Sequence, residues 1–201
     1  MKTKQKFLSL IMIIVSCTTV FAQDDPLQSA LLGFKGGANF ATISSRNLED
    51  PSFRSDFYVG LAIEAMLTDK FGFQVEAIYS RQGLKINQQL SKRKEIVRLD
   101  YIQIPILAKA YIIEGFNIQG GLQFGFKVDE SSPVTFPLEN GVDFNIDTIR
   151  SFDFQLTSGI EYKFKNGFFM QARYSYGFSE IVDDSEAHNS VFSTGIGFMF
   201  Y

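Results

Sequence analysis

Cysteine occurs once in this chain, at Cys17, histidine once, at His188, and tryptophan not at all. A single cysteine has no partner for a disulfide, and its place in the leader described below leaves no thiolate for a metal site. Positive charge is also short. Without Lys2, Lys4 and Lys6 the 19 basic residues fall to 16 against 22 acidic ones, a formal net charge of −6. A nucleic-acid binder carries a basic stripe, and this balance argues against one. Long apolar runs are missing too. Past the N-terminal leader nothing approaches the roughly 20 apolar residues that a membrane helix needs, so a helical membrane protein is excluded.

What the N-terminus does have is a leader. Lys2, Lys4 and Lys6 precede an apolar core from Phe7 to Val15, and Val20-Phe21-Ala22 before Gln23 supplies a small-residue cleavage site. Residues 1–22 are therefore expected to be a secretory signal peptide and residues 23–201 a single mature domain. Ile14-Val15-Ser16-Cys17 also resembles a lipoprotein signal, in which Cys17 would be lipidated. The site after Ala22 is the better of the two.

Aromatic residues make up 15% of the chain and glycine contributes 16 residues, a combination unusual for a soluble domain without disulfides. The two are sorted by a period of two. The last stretch, Ser190 to Tyr201, places Phe192, Thr194, Ile196, Phe198 and Phe200 on one face and Ser193, Gly195, Gly197 and Met199 on the other. That is a strand with one bulky and one small side. Seven earlier stretches alternate similarly: Leu31–Ala41, Ser55–Leu67, Phe71–Ser80, Glu95–Tyr111, Asn117–Val128, Thr148–Phe164 and Phe168–Ser179. Each is long enough for the roughly 9–11 residues of a tilted membrane strand. Pro105 lacks a donor, so a bulge or a missing ladder bond is expected beside it.

The connections alternate as well. Thr42–Arg54, Gly83–Lys94, Asp129–Asp147 and Glu180–Asn189 are long and polar, whereas Thr68-Asp69-Lys70, Ile113–Phe116 and Lys165-Asn166-Gly167 are tight. Asn166-Gly167 suits a hairpin because such turns require positive φ. Short turns at one end and long loops at the other are the layout of outer-membrane barrels, with both termini on the periplasmic side. The expected fold is all-β: an eight-stranded antiparallel up-and-down transmembrane β-barrel in the outer membrane of a Gram-negative cell. The last strand should close against Lys35–Asn39 of the first.

Periodicity alone does not say which face points out. The face opposite the phenylalanines is rich in Gly, Gln and Ser, with charges spaced singly: Lys35, Glu64, Glu76, Lys109, Lys127, Glu161, Lys163 and Arg173. A soluble barrel would show water a denser charged surface, whereas small residues with balanced ions describe a narrow filled lumen. Buried charges need partners, so these eight are expected to form an internal network with no wide pore. A satisfied interior is the plainer reading of that network; a proton or ion path is the functional one. The tyrosines, several near strand ends, are expected at the membrane interfaces.

The eight-segment layout, the Leu99–Lys109 stretch L-D-Y-I-Q-I-P-I-L-A-K and the closing G-I-G-F-M-F resemble the PorT-type outer-membrane β-barrel family of Bacteroidota. Tyr-Ile-Gln-Ile-Pro is the most specific part of that resemblance, which covers essentially the whole mature chain. It implies the barrel fold and the outer membrane, and more weakly a part in protein secretion. Its terminal aromatics also resemble the signal by which barrel assembly machinery recognises its clients.

Chemistry is thin. His188 with Ser185, Glu186 and Ser190 could be drawn as a hydrolase triad of a lipid-modifying enzyme, but sequence neighbours rarely converge on one atom and no Gly-x-Ser-x-Gly context is present. Asp183, Asp184 and Glu186, with Asp129, Glu130, Asp143 and Asp147, offer oxygen ligands without any calcium-loop spacing. No catalytic residue, metal or cofactor is assigned. Arg81, Lys85, Lys92, Arg93, Lys94 and Arg98 form a basic rim around the second long loop, suited to lipopolysaccharide phosphates. The expected role is structural or interactive at the cell envelope through the external loops, with outer-membrane lipid, lipopolysaccharide and an envelope protein as partners. The alternatives are an accessory of protein secretion and a lipid-modifying enzyme.

Overall fold

A sheet whose two faces differ this much needs a different medium on each side, and closing it on itself supplies them. We describe a computed structural model of the chain over residues 28–44, 54–87, 94–130, 136–137, 143–144 and 152–200. In chain order the strands are β1 (Gln28–Ser44), β2 (Arg54–Met66), β3 (Phe71–Asn87), β4 (Lys94–Ile113), β5 (Phe116–Glu130), β6 (Phe136–Pro137), β7 (Asp143–Phe144), β8 (Phe152–Lys163), β9 (Phe168–Glu180) and β10 (His188–Phe200). Strands β6 and β7 pair only with each other. The other eight close into a barrel in the order β1-β10-β9-β8-β5-β4-β3-β2, every pair antiparallel. Closure leaves no unpaired edge, the condition for a sheet to cross lipid.

The seam forms where expected. Lys35 stands opposite Gly197 and Asn39 opposite Ser193. On the outer side Phe34 faces Phe198 and Phe40 faces Phe192, with ring centroids 6.4 and 6.2 Å apart. Such cross-strand aromatic pairs help fix register. The bulky face of the alternation points outward, with Phe34, Leu61, Ile196 and Phe200 each half exposed, while Ile78, Leu107, Phe169 and Val191 of the opposite face are buried inside. In water this girdle would be a severe liability, and against acyl chains it is the match.

Three short connections, 67–70, 114–115 and 164–167, lie at the end where β1 begins and β10 finishes. Each turn is tied to the neighbouring strand: Tyr111 N–H donates to Lys70 C=O, Lys163 N–H to Gly115 C=O and Met199 N–H to Gly167 C=O. Gly115 and Gly167 have φ of 80° and 88°, the left-handed region that the Asn166-Gly167 turn anticipates. At Pro105 the ladder to β3 skips from Val75–Ile106 to Ile78–Gln103 without a change of register. The missing rungs are therefore present and the bulge is not.

Two expectations are corrected. The second long connection is shorter than Gly83–Lys94, because β3 runs on to Asn87 and β4 starts at Lys94, directly opposite. In the β3 extension only Leu84 and Ile86 alternate with Gly83, Lys85 and Asn87, too short an apolar pattern to mark the strand by itself. The tyrosines also divide. Tyr58 and Tyr101 are buried at 4% and 2% and Tyr111 bonds to a lumen carboxylate, while Tyr79, Tyr162, Tyr174 and Tyr176 belong to the outward set. Phenylalanine carries most of the outer aromatic rows, with Phe57, Phe126 and Phe152 at the end away from the short turns and Phe71, Phe164 and Phe168 at the short-turn end. The signal peptide, Cys17 and Tyr201 lie outside the described residues.

Candidate functional site

With the phenylalanines outside, Phe169 excepted, the polar side of every strand converges on a narrow interior. Lys35, Glu64, Glu76, Lys109, Glu161 and Arg173 are all at or below 4% exposure, and the half-buried Lys163 joins them from the short-turn mouth. Eight strands leave room for side chains and little else, so ions placed there must find each other.

Glu76 is the hub. Its Oε2 accepts from Lys35 Nζ and Arg173 Nη1, both at 2.7 Å, and its Oε1 accepts from Arg173 Nη2 at 2.7 Å and from Gln74 Nε2. The fork of Arg173 therefore meets the carboxylate bidentately, the strong geometry for such a pair. Arg173 Nη2 also reaches Gln119 Oε1 at 2.9 Å. Lys35 Nζ reaches Gln171 Oε1 at 3.3 Å, and Gln171 Nε2 donates to the Tyr58 hydroxyl at 2.9 Å.

A second cluster lies nearer the short turns. Lys109 Nζ donates to Glu64 Oε2 at 2.8 Å, to Gln74 Oε1 at 2.8 Å and to Glu161 Oε1. Glu64 Oε1 accepts from Lys163 Nζ and from the Tyr111 hydroxyl, both at 2.6 Å. Asn117 Nδ2 adds a bond to Glu161. Gln74, accepting from Lys109 and donating to Glu76, welds the two clusters together. In the circular strand order β9 and β3 are diametrically opposite, as are β8 and β2. Arg173–Glu76 and Lys163–Glu64 therefore each span the full width of the lumen.

Seven of the eight charges expected in the lumen are joined by these bonds. Lys127 stands further from the short turns, half-buried, and has interactions of its own. The neutral members Gln74, Gln119, Gln171, Asn117, Tyr58 and Tyr111 were not anticipated. Their signal was present, since each falls on the same alternating face as the charges. Asp153 is a further lumen carboxylate, 5% exposed, accepting from Gln155 Nε2 at 2.6 Å and Asn189 Nδ2 at 2.7 Å.

The basic rim is partly resolved. Arg81 packs its guanidinium 5.2 Å from the Phe57 ring and lies 3.6 Å from the Asp100 carboxylate, which also accepts from the Tyr79 hydroxyl. Beyond that rung, register sets Arg98 opposite Gly83, Lys85 opposite Ile96 and Lys94 opposite Asn87. The register thus brings the Lys85, Lys94 and Arg98 positions onto one two-stranded ribbon with Arg81. Lys92 and Arg93 lie outside the described residues.

His188 heads β10, opposite Glu180 and Ser44, with its ring 5.7 Å from that of Tyr176. Ser185 and Glu186, like Asp147, Asp183 and Asp184, lie outside the described residues. Among the described residues no group of three or more His, Cys, Asp or Glu side chains is placed to hold a metal.

Comparison with solved structures finds the same architecture. Ail, the attachment invasion locus protein of Yersinia pestis, is 15% identical with a TM-score of 0.52, the match covering 86% of this chain and 100% of that one. Neisserial surface protein A is 16% identical with a TM-score of 0.54 at the same coverage. At these identities the likeness is one of fold. A comparison with curated proteins finds no match. The family model described as outer membrane protein beta-barrel domain matches residues 21–183. With its closed eight-stranded barrel and lipid-matched exterior, the chain belongs to that family of outer-membrane β-barrel proteins.

Proposed function

We propose that the protein is a sealed outer-membrane barrel whose work is done on the external side, as a structural or interaction protein without catalytic activity or cofactor. The observation that supports this above all is the pair of ion pairs, Arg173–Glu76 and Lys163–Glu64, crossing the whole lumen with Gln74 bonded to both clusters. Any transport path through the barrel would require several buried charge-assisted bonds to break, each worth more than a neutral hydrogen bond. Function is then left to what projects from the membrane. In this reading the short turns and both termini face the periplasm and the long connections face out.

The partner that fits the projecting β3–β4 ribbon is the phosphate-bearing face of lipopolysaccharide. Its basic positions follow immediately on the Phe57 and Tyr79 rings, where an aromatic row meets headgroups. The test is binding of the reconstituted protein to lipopolysaccharide, comparing wild type with an Arg81→Glu, Lys85→Glu, Arg98→Glu variant. Binding about tenfold weaker or worse is expected, the equivalent of losing one or two charged contacts. Equal binding would remove lipopolysaccharide from the account. The terminal aromatics serve recognition by barrel assembly machinery, so deleting Phe200 and Tyr201 should impair insertion, and normal insertion of that truncation would contradict this. A part in secretion rests on the PorT-like Leu99–Lys109 stretch alone, and co-purification with a secretion complex would support it.

A further inference from the structure

The barrel is closed, but its wall is not paired to one height all round. β2 and β3 pair from Met66 opposite Gly72 to Tyr58 opposite Ser80, and there the ladder stops although both strands go on. Residues 54–57 of β2 stay paired to β1, and residues 81–87 of β3 stay paired to β4. β4 in turn has β5 beside it only as far as Leu99, opposite Glu130. The outer parts of β3 and β4 are therefore paired to each other alone.

The next rung shows how the ladder ends. In an antiparallel pair the two residues of a bonded rung exchange both N–H···O=C bonds. Continued by one step, the register makes Phe57 and Arg81 that rung, with the Phe57 N–H donating to the Arg81 C=O. Instead the Phe57 N–H donates to Asp56 Oδ1 at 3.0 Å, and the Arg81 C=O accepts from Asn39 Nδ2 at 3.3 Å. Asn39 Nδ2 also donates to the buried Ser80 Oγ at 2.8 Å, which holds it at the break. Asn39 and Asp56 stand directly opposite each other on β1 and β2. One cross-strand pair of short polar side chains thus takes both halves of the missing bond, the competition that Asn and Asp offer to a backbone ladder. Strands with few neighbours open at far lower free energy than those paired on both sides. We propose that Asn39 and Asp56 are positioning residues that end the β2–β3 ladder and leave the β3–β4 ribbon as an arm, hinged at Ser80 and Arg81, that tilts independently of the wall. That the arm carries its cations to lipopolysaccharide phosphates rests on the function proposed above; the hinge does not.

Amide exchange followed by NMR in lipid nanodiscs tests the break on the wild-type protein. Ser55 and Gly83 lie two residues beyond Phe57 and Arg81, so their N–H groups face the same gap. Both should exchange about a hundredfold faster than the Val59 amide, which is inside the ladder opposite Tyr79. Protection equal to that of Val59 would overturn the proposal. In an Asn39→Ala, Asp56→Ala variant the freed N–H and C=O meet, and the Phe57 amide should exchange about tenfold more slowly. No slowing would overturn the role of the two side chains. The tilt is tested by Asp56→Cys with Gln82→Cys, one thiol on each side of the gap. A disulfide needs Cα atoms within about 7 Å, so it forms only if the arm swings onto β2. It should form under mild oxidation, and the stapled protein should bind lipopolysaccharide about tenfold more weakly than the same protein reduced. Failure to form would overturn the hinge, and equal binding in the two states would overturn the use of the tilt in binding. Wild-type protein that shows the exchange pattern and the disulfide without binding lipopolysaccharide would remove the lipid reading and support the hinge.

Discussion

Glu76 shows what single residues do in this lumen. Four donors from three cationic or amide side chains converge on its two oxygens, and the two cations among them, Lys35 and Arg173, are as buried as it is. Glu76→Ala would leave both cations without their carboxylate, a loss of about 3–5 kcal/mol for a buried pair broken on one side. A lower urea midpoint in detergent, with the folded electrophoretic band lost at milder heating, is the expected reading. Replacing Lys35, Glu76 and Arg173 together by Met removes the desolvation along with the attraction, so the triple variant should be more stable than Glu76→Ala alone. At this scale the sequence was informative about membership. Charges spaced singly among Gly, Gln and Ser on one face had to be interior. Which carboxylate holds which cation was not legible, because it depends on how β3 meets β9 across the closed barrel, and no local pattern encodes that.

Strands and turns add a second set of constraints. Gly197 lies beneath the Phe169 ring and beside the Phe34 carbonyl, where a Cβ would collide with both. The β1–β10 seam thus admits only glycine at that rung. Gly197→Val should sharply reduce the folded, heat-modifiable form on gels, and normal yield would show that the seam can shift. Gly167 is needed for its backbone instead: at φ 88°, Gly167→Ala should cost about 1–2 kcal/mol, read from the unfolding midpoint. The eight barrel strands and the tight turns were legible because lipid on one side and a packed lumen on the other impose strict alternation. The outer part of β3 was not. From Gly83 to Asn87 only Leu84 and Ile86 alternate with polar or small residues, too short a run beside a polar loop to mark a strand, although pairing with β4 continues there.

For the whole molecule, the outer surface and the lumen divide the labour. The apolar girdle between two aromatic rows sets the depth of the barrel in the membrane, and the ion-paired interior closes it. That division was readable from the chain, since the same alternation that sent phenylalanine outward sent charge inward. A partner was not readable, because the polar sequences of the long connections have no period to interpret. The central claim is that the lumen is sealed. Reconstituted into a planar bilayer, the wild-type protein should give no steady single-channel steps in symmetric salt, and a stable, well-resolved conductance from it would contradict the account.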